Sequence, residues 1–565
     1  MALRQHLLRI SLLLALATLV QSWVVAHAVV PAQDAVRYLA GAQAMARDGW
    51  WPALLAASDP PLHPTVVAGM HSALQFGIGE NDASRLLWLQ SLQASAAAAV
   101  VLSVVPLYVL LLRWIGTLEA FCGGVLFCVL TSVARLGGDG LSDGLQLLAC
   151  LSALCGLTIF LTSAPQPGTA TRWLAIVLAG LALGWGILAG SAAMALFVAA
   201  MMALAFDALR NRATSSLLGA AAAPVALAGG VLVVLGPYLL ATAGFDPELL
   251  ASRIRADHRP ENAAYLNALA QPMVQPSTVD VAPSQWRLAS GEPMAFGHKE
   301  TSSSLRARGV AAALKQFGVE LFRLLGPVVA ILAVAGAGYS AAALEPRRVD
   351  RVLLGLSAGY ALLAIAHAAR SGYLADRHLL PLLPLALAVA ARAICAGGAA
   401  LARQMPWAES WADVWPRVPA AGWISRAMLV LTAAFCLLPT SRPLHASRWG
   451  HRQAAEWLAA RTAPGNVVLD TRGWTCFYSG RATYRHEAAA AALANPRLAF
   501  VVVEERELAT ESPRSRTLRE ILSRSAQPVV RFSNPGTSAD AGVAVYRWHP
   551  ERFAALVEAP GASRQ

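Results

Sequence analysis

Long apolar runs alternate with short polar segments over most of the chain. A membrane-spanning helix needs about 20 mostly apolar residues, and eleven runs approach this length. A shorter stretch, Leu62–Gly79, carries His63, His71 and Gln75 and is predicted to be an amphipathic helix at the membrane surface. The eleven predicted spans are Leu7–Val30, Leu86–Leu112, Leu118–Ala134, Leu141–Leu161, Trp173–Leu188, Ala192–Phe206, Leu217–Leu240, Val319–Ala342, Val352–Ala368, Leu379–Ile394 and Ile424–Leu438.

The first run has Arg4 and Arg9 at its start and Ala26-His27-Ala28 near its end, as a cleavable signal peptide would. We predict that it is retained, because it exceeds the usual apolar core of a signal peptide, about 7–15 residues. With the N-terminus in the cytoplasm and eleven spans, the short arginine-bearing loops fall on the cytoplasmic side, in agreement with the positive-inside rule. A twelfth span at Leu62 would invert them. These arginines are Arg113, Arg210, Arg212, Arg347, Arg348, Arg351, Arg403 and Arg417.

Beyond His445 the pattern changes to short segments. Arg452–Arg461 has helical periodicity, and four short stretches are predicted to be strands. These are residues 466–470, 500–504, 528–532 and 544–548. The predicted fold class is therefore an α-helical polytopic membrane protein, residues 1–440, with a small C-terminal α/β soluble domain, residues 445–565. The span count places this domain outside the cytoplasm, together with the first loop, 31–85, and the long loop, 241–318.

Composition agrees with this prediction. Hydrophobic residues make up 56% of the chain and charged residues only 14%, against about 25% in a typical soluble domain. The net charge of +12 comes from arginines that flank apolar runs, so the expected partner is the lipid bilayer and no nucleic acid is expected. The seven cysteines lack the spacing of disulfide frameworks or zinc sites, which predicts packing roles.

The first loop holds one candidate for chemistry. Asp34 stands at the outer end of the first span, where a carboxylate can accept a proton from an incoming hydroxyl or amine as a general base. Alternatively, Asp34 caps the helix predicted to follow it, Ala35–Ala46. Tyr38 and His63 belong to the same polar and aromatic loop and are candidate substrate contacts.

Asp139 and Asp143 form a second acidic pair, in the segment GGDGLSDG. Asp143 falls at the outer end of the fourth predicted span. A carboxylate at a helix centre costs about 2.5–3.5 kcal/mol on insertion scales, so acids within spans usually face a cavity and serve a function. The alternative is that Ser142 and Asp143 open a helix whose dipole favours them.

Arg377 and His378 follow Asp376 at the outer start of the tenth predicted span. The planar guanidinium of arginine suits an anionic group such as phosphate, which it binds with two hydrogen bonds. Alternatively, Arg377 extends to the membrane interface or pairs with Asp376. The long loop carries Lys299 and either closes over a substrate or is a solvated connector. The sequence contains no Walker loop, no GxGxxG and no convincing metal motif.

Taken in order, these motifs resemble those of the GT-C glycosyltransferases, in particular family 39 and its relatives of the protein mannosyltransferase and lipid A aminoarabinose transferase type. After the acidic first loop come DPPLHP, GIGENDASRLLWL, GLSDGLQLL, VLGPYLL and DRHLLPLLPLAL. The resemblance covers the membrane region and, more loosely, the C-terminal tail.

The resemblance implies transfer of a hexose or pentose from a polyprenyl-phosphate donor to an acceptor outside the inner or plasma membrane. The family's first acid maps onto Asp34, its second onto Asp143 or alternatively Asp139, and its late-span arginine, which faces the lipid phosphate, onto Arg377. Asp34 is then the general base of an inverting single displacement, and Arg377 stabilises the departing phosphate. A lipid, glycan or protein acceptor and a divalent cation as cofactor are left open.

Two departures from the family pattern keep other functions open. Asp34-Ala35 stands where many relatives carry Asp-Glu, and Gly190-Ser191 stands where many carry a basic residue. Without the second acid and the basic residue, the identity of the sugar donor is left open, and a non-catalytic scaffold with the same fold is an alternative. A multi-span transporter or lipid flippase is a further alternative, which should show discontinuous helices and paired halves.

Overall fold

A computed structural model of the chain describes residues 2–56, 60–78, 84–163, 170–210, 217–243, 286, 294, 309–343, 348–404, 420–463, 465–535 and 542–558. Within this part, a bundle of α-helices precedes a small mixed sheet. A 3₁₀ helix, Asp376–Leu382, leads directly into the α-helix Leu383–Gln404. The helices up to the sheet region are α1 (Ala2–Ala26), α2 (Ala35–Asp48), α3 (Trp50–Ala56), α4 (Leu62–Ile78), α5 (Ser84–Trp114), α6 (Thr117–Val129), α7 (Thr131–Asp139), α8 (Asp143–Thr162), α9 (Ala170–Ala189), α10 (Ala192–Arg210), α11 (Leu217–Ala243), α12 (Val310–Ala343), α13 (Arg348–Ser371), α14 (Leu383–Gln404) and α15 (Ala420–Leu437).

The bundle has the helices that a polytopic membrane protein needs. Among the described residues, nine single helices are long and apolar enough to cross a membrane, and two bent helix pairs raise the number to eleven. This confirms the predicted class of about eleven spans. Phe206, Val334 and Leu362 are exposed on these helices, as expected for side chains that meet lipid. The helix α4 is not among the eleven; its place at the membrane surface and the sidedness of the loops stay predictions.

One predicted span, Leu118–Ala134, is two helices. α6 and α7 meet at an angle of 48°, because Leu130 between them leaves the helical conformation, with φ −66° and ψ 122°. The sequence conceals the bend, since apolar residues continue across it and periodicity does not report direction. The bend allows α7 to end at Asp139, four residues before α8 starts at Asp143.

Hydroxyl groups hold the start of α7 against its neighbours. Thr131 donates a hydrogen bond to the Cys436 carbonyl at 3.1 Å, and Ser132 donates to the Leu324 carbonyl at 2.6 Å. Leu324 lies just before Gly326, where α12 breaks with φ 65°, so helical hydrogen bonding is interrupted there. A hydrogen bond therefore links the two bends: the Ser132 hydroxyl beside Leu130 donates to the Leu324 carbonyl beside Gly326.

The C-terminal residues form a five-stranded sheet with the order β2-β1-β3-β5-β4. β1 pairs in parallel with β2 and β3, whereas β5 is antiparallel to β3 and β4. The strands are β1 (Val467–Asp470), β2 (Ala482–Tyr484), β3 (Leu498–Glu504), β4 (Ala526–Phe532) and β5 (Val543–Trp548). The helices around them are α16 (Trp449–Arg461), α17 (Thr475–Ser479), α18 (Ala489–Leu493), α19 (Glu505–Leu508), α20 (Pro513–Ser525) and α21 (Pro550–Glu558).

The sheet confirms the predicted α/β character of the tail. All four predicted strands are present, and only β2, which is three residues long, was not expected. Pro528 fits because β4 is an edge strand, where a missing N–H breaks no ladder. The long loop contributes to this domain, since Trp286 packs edge-on against Phe553 at 5.0 Å between ring centroids.

Candidate active site

Asp34 lies immediately before α2, in the short connection from the first helix. Its carboxylate accepts hydrogen bonds on both oxygens: Arg37 donates to Oδ1 and Arg377 donates to Oδ2, each at 3.2 Å. Among the described residues, the side chain makes no capping hydrogen bond to the helix that follows. The geometry therefore favours a role in a polar cluster over the alternative of a helix cap.

Arg377 reaches Asp34 from the 3₁₀ helix at the start of the tenth predicted span. The Asp376 carboxylate accepts the backbone N–H of Arg377 at 2.8 Å, and the Tyr360 hydroxyl donates to the His378 carbonyl at 2.5 Å. The following residues, Leu379–Leu383, are buried in the bundle. The turn is thus fixed on both sides, and the partly exposed Arg377 side chain is directed towards the first loop.

Asp143 opens α8 close to this pair. Its carboxylate interacts electrostatically with Arg377, which attracts it, and with Asp34, Asp139 and Asp376, which repel it. As the first helical residue it also benefits from the helix dipole, so the functional and the dipole interpretations are compatible. The structure thus brings together the three residues that the sequence singled out: Asp34, Asp143 and Arg377.

Glycines allow α8 to pack closely against α5. A Cβ on Gly144 would lie 2.8 Å from the Ala96 carbonyl oxygen, and Gly140 has a φ of +65°, which favours glycine. Ser142, between them, donates a hydrogen bond to the Tyr38 hydroxyl at 3.1 Å. Tyr38 therefore connects the helix after Asp34 to the turn before Asp143.

His63 occupies a different position from the one expected of a substrate contact. Its side chain is 0% exposed, its Nε2 lies 3.1 Å from the Gly140 carbonyl, and its ring packs edge-on against Tyr38. Burial lowers its pKa to about 4, against the opposing hydrogen bond to Gly140. A neutral His63 that donates from Nε2 supports the turn and has no exposed surface for a ligand.

The remaining predicted site residues have other neighbours. Asp139 accepts a 2.6 Å hydrogen bond from Nε2 of His445, at the junction with the C-terminal domain. His378 accepts the Ala375 N–H on Nδ1 at 3.3 Å, which orders the 3₁₀ turn. Lys299 lies outside the described residues.

The C-terminal domain holds the segment before Asp34. Trp474 donates from Nε1 to the Pro31 carbonyl at 3.0 Å, and the Tyr478 hydroxyl donates to the Val29 carbonyl at 3.1 Å. Arg472 contacts the Gln33 amide oxygen at 3.4 Å. The sheet therefore lies on the same side of the helix bundle as Asp34.

Sequence reasoning missed these contacts and Arg37. The Asp34–Arg37 pair has the i, i+3 spacing of a helical ion pair, which is a signal that the sequence contains. The contacts of Arg472, Trp474 and Tyr478 join positions more than 430 residues apart, and their sequence spacing carries no such signal.

The two departures from the family pattern have structural counterparts. Ala35, where a second acid was expected, is fully buried. A Cβ on Gly190, where a basic residue was expected, would lie 2.8 Å from Nε2 of Gln146, so this amide fills the space. Among the described residues, no three His, Cys, Asp or Glu side chains converge in a way that would hold a metal ion.

No protein-family model matches the sequence, and no curated protein matches it. Solved structures share the overall fold. ArnT from Cupriavidus metallidurans in the apo state has a TM-score of 0.56 at 14% identity, with 99% of each chain covered. The same protein bound to undecaprenyl phosphate gives 0.55 at 15% identity, over 95% of this chain and 97% of that chain.

The archaeal oligosaccharyltransferase AglB from Archaeoglobus fulgidus, in complex with an inhibitory peptide and a dolichol-phosphate, gives a TM-score of 0.54 at 11% identity. The match covers 94% of this chain and 73% of that chain. The ArnT match spans both the helix bundle and the C-terminal domain. The chain therefore shares the fold of ArnT and AglB, which is the GT-C fold.

Proposed function

We propose that this protein transfers a sugar from a polyprenyl-phosphate donor to an acceptor on the extracytoplasmic side of the membrane. Asp34 is the general base and Arg377 the ligand of the donor phosphate. The observation that carries the proposal is the 3.2 Å contact between these two side chains, which come from the first loop and the tenth predicted span.

The pair suits a single displacement. Each carboxylate oxygen of Asp34 has two lone pairs and accepts one arginine N–H, so a lone pair stays available for an acceptor hydroxyl or amine. Arg377 uses one of its five N–H groups on Asp34, which leaves others to bind phosphate. As the acceptor attacks the sugar, Asp34 takes its proton, and Arg377 stabilises the charge that develops on the leaving phosphate. Asp143 supports Arg377 from α8.

An apolar groove beside this site supports a lipid-linked donor. It has a volume of about 610 Å³ and lies between α12, α13 and α14, with Phe317, Leu321, Leu354 and Val389 among its lining residues. Leu382, at the end of the 3₁₀ helix that carries Arg377, also lines it. An isoprenoid chain in this groove would therefore place its phosphate near Arg377. The bound undecaprenyl phosphate and dolichol-phosphate in the similar structures support the same donor class.

A transporter or flippase would also use broken helices, such as the α6–α7 bend and the break at Gly326. Two observations favour sugar transfer over transport: the glycosyltransferases with a similar fold, and the contact between Asp34 and Arg377. The two functions separate experimentally, because only a transferase forms a new glycosidic bond.

The decisive test is Asp34→Asn in purified full-length protein. Transfer of labelled sugar from a polyprenyl-phosphate donor to envelope acceptors is expected to fall about 10²- to 10⁴-fold, the usual contribution of general-base catalysis. The matched control is Asp48→Asn at the end of the same helix, an exposed carboxylate paired with Arg47, which should leave transfer unchanged. Wild-type activity in the Asp34→Asn variant would refute the base assignment.

A further inference from the structure

A second polar cavity lies between the C-terminal domain and the first loop. Its volume is about 490 Å³, and it is separate from the apolar groove. Gln33 lines it from the first loop, one residue before Asp34. Its charged lining residues are Arg448, Arg472, Arg506, Arg514, Glu504 and Glu507.

The cavity lies where the topology of the sheet opens a crevice. From the carboxyl end of β1 the chain proceeds to β2 on one side, and from the carboxyl end of β3 it proceeds to β4 and β5 on the other. The connections thus diverge between β1 and β3, which is the position where open α/β sheets bind ligands. Arg472 follows β1, and Glu504 and Arg506 stand at the end of β3.

The cavity carries an excess of positive charge. Four guanidinium groups face two carboxylates. Arg472 pairs with Glu504 at 2.8 Å, and Arg514 pairs with Glu507. Burial opposes ionisation of Glu504, but the hydrogen bonds and charges of His451 and Arg472 outweigh it and lower its pKa to about 2, so the Arg472–Glu504 pair is ionic at neutral pH.

Among the described residues, two of the arginines form no direct ion pair, although the Glu504 and Asp139 carboxylates attract Arg448 electrostatically. Within the described part of the chain, neither Arg448 nor Arg506 forms an ion pair with a carboxylate; Arg448 lies over the Trp474 ring at 4.8 Å, and Arg506 is exposed. The 13-residue helix α20 adds the positive end of its dipole, because Ser512, its N-cap, and Ser515 in its first turn line the cavity.

We infer that this cavity binds an oxyanion of the acceptor, a phosphate or a carboxylate, and so presents the acceptor to Asp34. The inference rests on the proposed transfer function, which makes Asp34 the base. Arg472 ties the cavity to Gln33 at 3.4 Å, so a ligand held by Arg448 and Arg506 is anchored beside the loop that carries the base.

The test starts with anion binding, which is independent of turnover. Inorganic phosphate and acetate are titrated separately against the full-length protein in detergent at constant ionic strength, with thermal stability as readout. In wild type at least one of the two anions should stabilise the protein, and preference for phosphate or for acetate identifies the group. Arg506→Gln and the double variant Arg448→Gln/Arg506→Gln should raise the Kd at least tenfold.

Two variants locate the bound anion. Arg377→Gln removes the phosphate ligand of the donor site and should leave this second binding event intact. Arg497→Gln changes an exposed arginine at the opposite end of β3 and should match wild type. The Arg448→Gln substitution removes the contact between Arg448 and the Trp474 ring and could disturb folding. The single variant Arg506→Gln keeps this contact, so it tests anion binding by itself.

Three outcomes decide the inference. Anion binding that is lost in Arg506→Gln and kept in Arg377→Gln, with a KM for acceptor that rises more than kcat falls, supports it. Binding that is unchanged in the double variant, or lost only in Arg377→Gln, overturns it, as does the absence of stabilisation by either anion. If the wild-type protein transfers no sugar, the proposed function fails. The anion-binding result is then judged separately, by the effect of Arg506→Gln on binding.

Discussion

Replacement of Trp474 by phenylalanine tests whether the C-terminal domain positions the general base. Trp474 is 1% exposed, and its Nε1 donates to the Pro31 carbonyl at 3.0 Å, three residues before Asp34. Phenylalanine keeps an aromatic ring in place and removes this donor. The Pro31 carbonyl then loses its partner at a buried contact, which costs about 1–3 kcal/mol.

The smaller ring adds a packing loss. Trp474 packs with Val29, Val30 and Val36, which flank the loop on both sides of Asp34. Together the two effects amount to about 2–4 kcal/mol. If about 2 kcal/mol of this is expressed as displacement of the loop from its catalytic position, kcat falls about thirtyfold. We therefore expect a loss of kcat between about tenfold and a hundredfold.

The assay is sugar transfer at saturating donor, measured well below the melting temperature of each variant. Trp457→Phe is the matched control: Trp457 also packs edge-on against an aromatic ring, Phe500 at 5.6 Å, and lies under an arginine, Arg461 at 5.1 Å. Trp457 lies in a different hydrophobic cluster of the domain from the one that packs Trp474 against Val29, Val30 and Val36. If both variants lower the melting temperature equally and both keep wild-type kcat, the domain does not position Asp34 and the reasoning is refuted.

Further predictions concern the surrounding residues. Because burial lowers the pKa of His63 to about 4, the folded chain binds fewer protons than the unfolded chain between pH 6.5 and 4. Stability should therefore fall as pH drops through this window, by up to about 3 kcal/mol, and His63→Gln should flatten the dependence measured by thermal unfolding. Gly144→Ala should cost about 1–3 kcal/mol and reduce transfer, since its Cβ meets the Ala96 carbonyl, whereas Gly69→Ala, with open space around it, should be neutral or stabilising. Arg377→Lys should lose more transfer than Arg403→Lys at the exposed end of α14, because a point charge does not replace a planar fork on phosphate; equal activities would contradict a phosphate ligand.

The sequence was most informative where one physical effect dominates. Apolar runs predicted the helices that are long and apolar enough to span the membrane, since lipid leaves little choice but a helix of about 20 residues. The strands of the tail were found for a similar reason, because β-branched pairs such as Val502 and Val503 report burial within a sheet. The bend at Leu130 was missed because apolar residues continue across it, and the hydroxyl contacts of Thr131 and Ser132 beside it join residues far apart in sequence.

The site shows the same limit. Asp34, Asp143 and Arg377 were identifiable because a charge beside an apolar run needs an explanation. The resemblance implied roles for them in one reaction, and the structure brings them together. His63 is buried against Gly140, and polarity in the sequence does not distinguish a ligand contact from such a buried support. The contacts of Arg472 with Gln33 and of Trp474 with Pro31 could not be predicted, since single residues in a distant domain carry no periodic signal.

The tail therefore belongs to the site. A loop that connects two helices is ordinarily mobile, because few contacts hold its backbone. The five residues before Asp34 are different. The Val29 N–H donates to the Leu444 carbonyl at 3.0 Å, and the Ala32 N–H donates to the Asp139 carbonyl at 3.0 Å. Three side chains of the C-terminal domain also donate to Val29, Pro31 and Gln33. A base that must meet an acceptor with about 3 Å accuracy requires such preorganisation. Gln33, Arg472 and Trp474 take part in these contacts and also line the polar cavity. Under the proposed function, the domain that orients the base would therefore also anchor the acceptor.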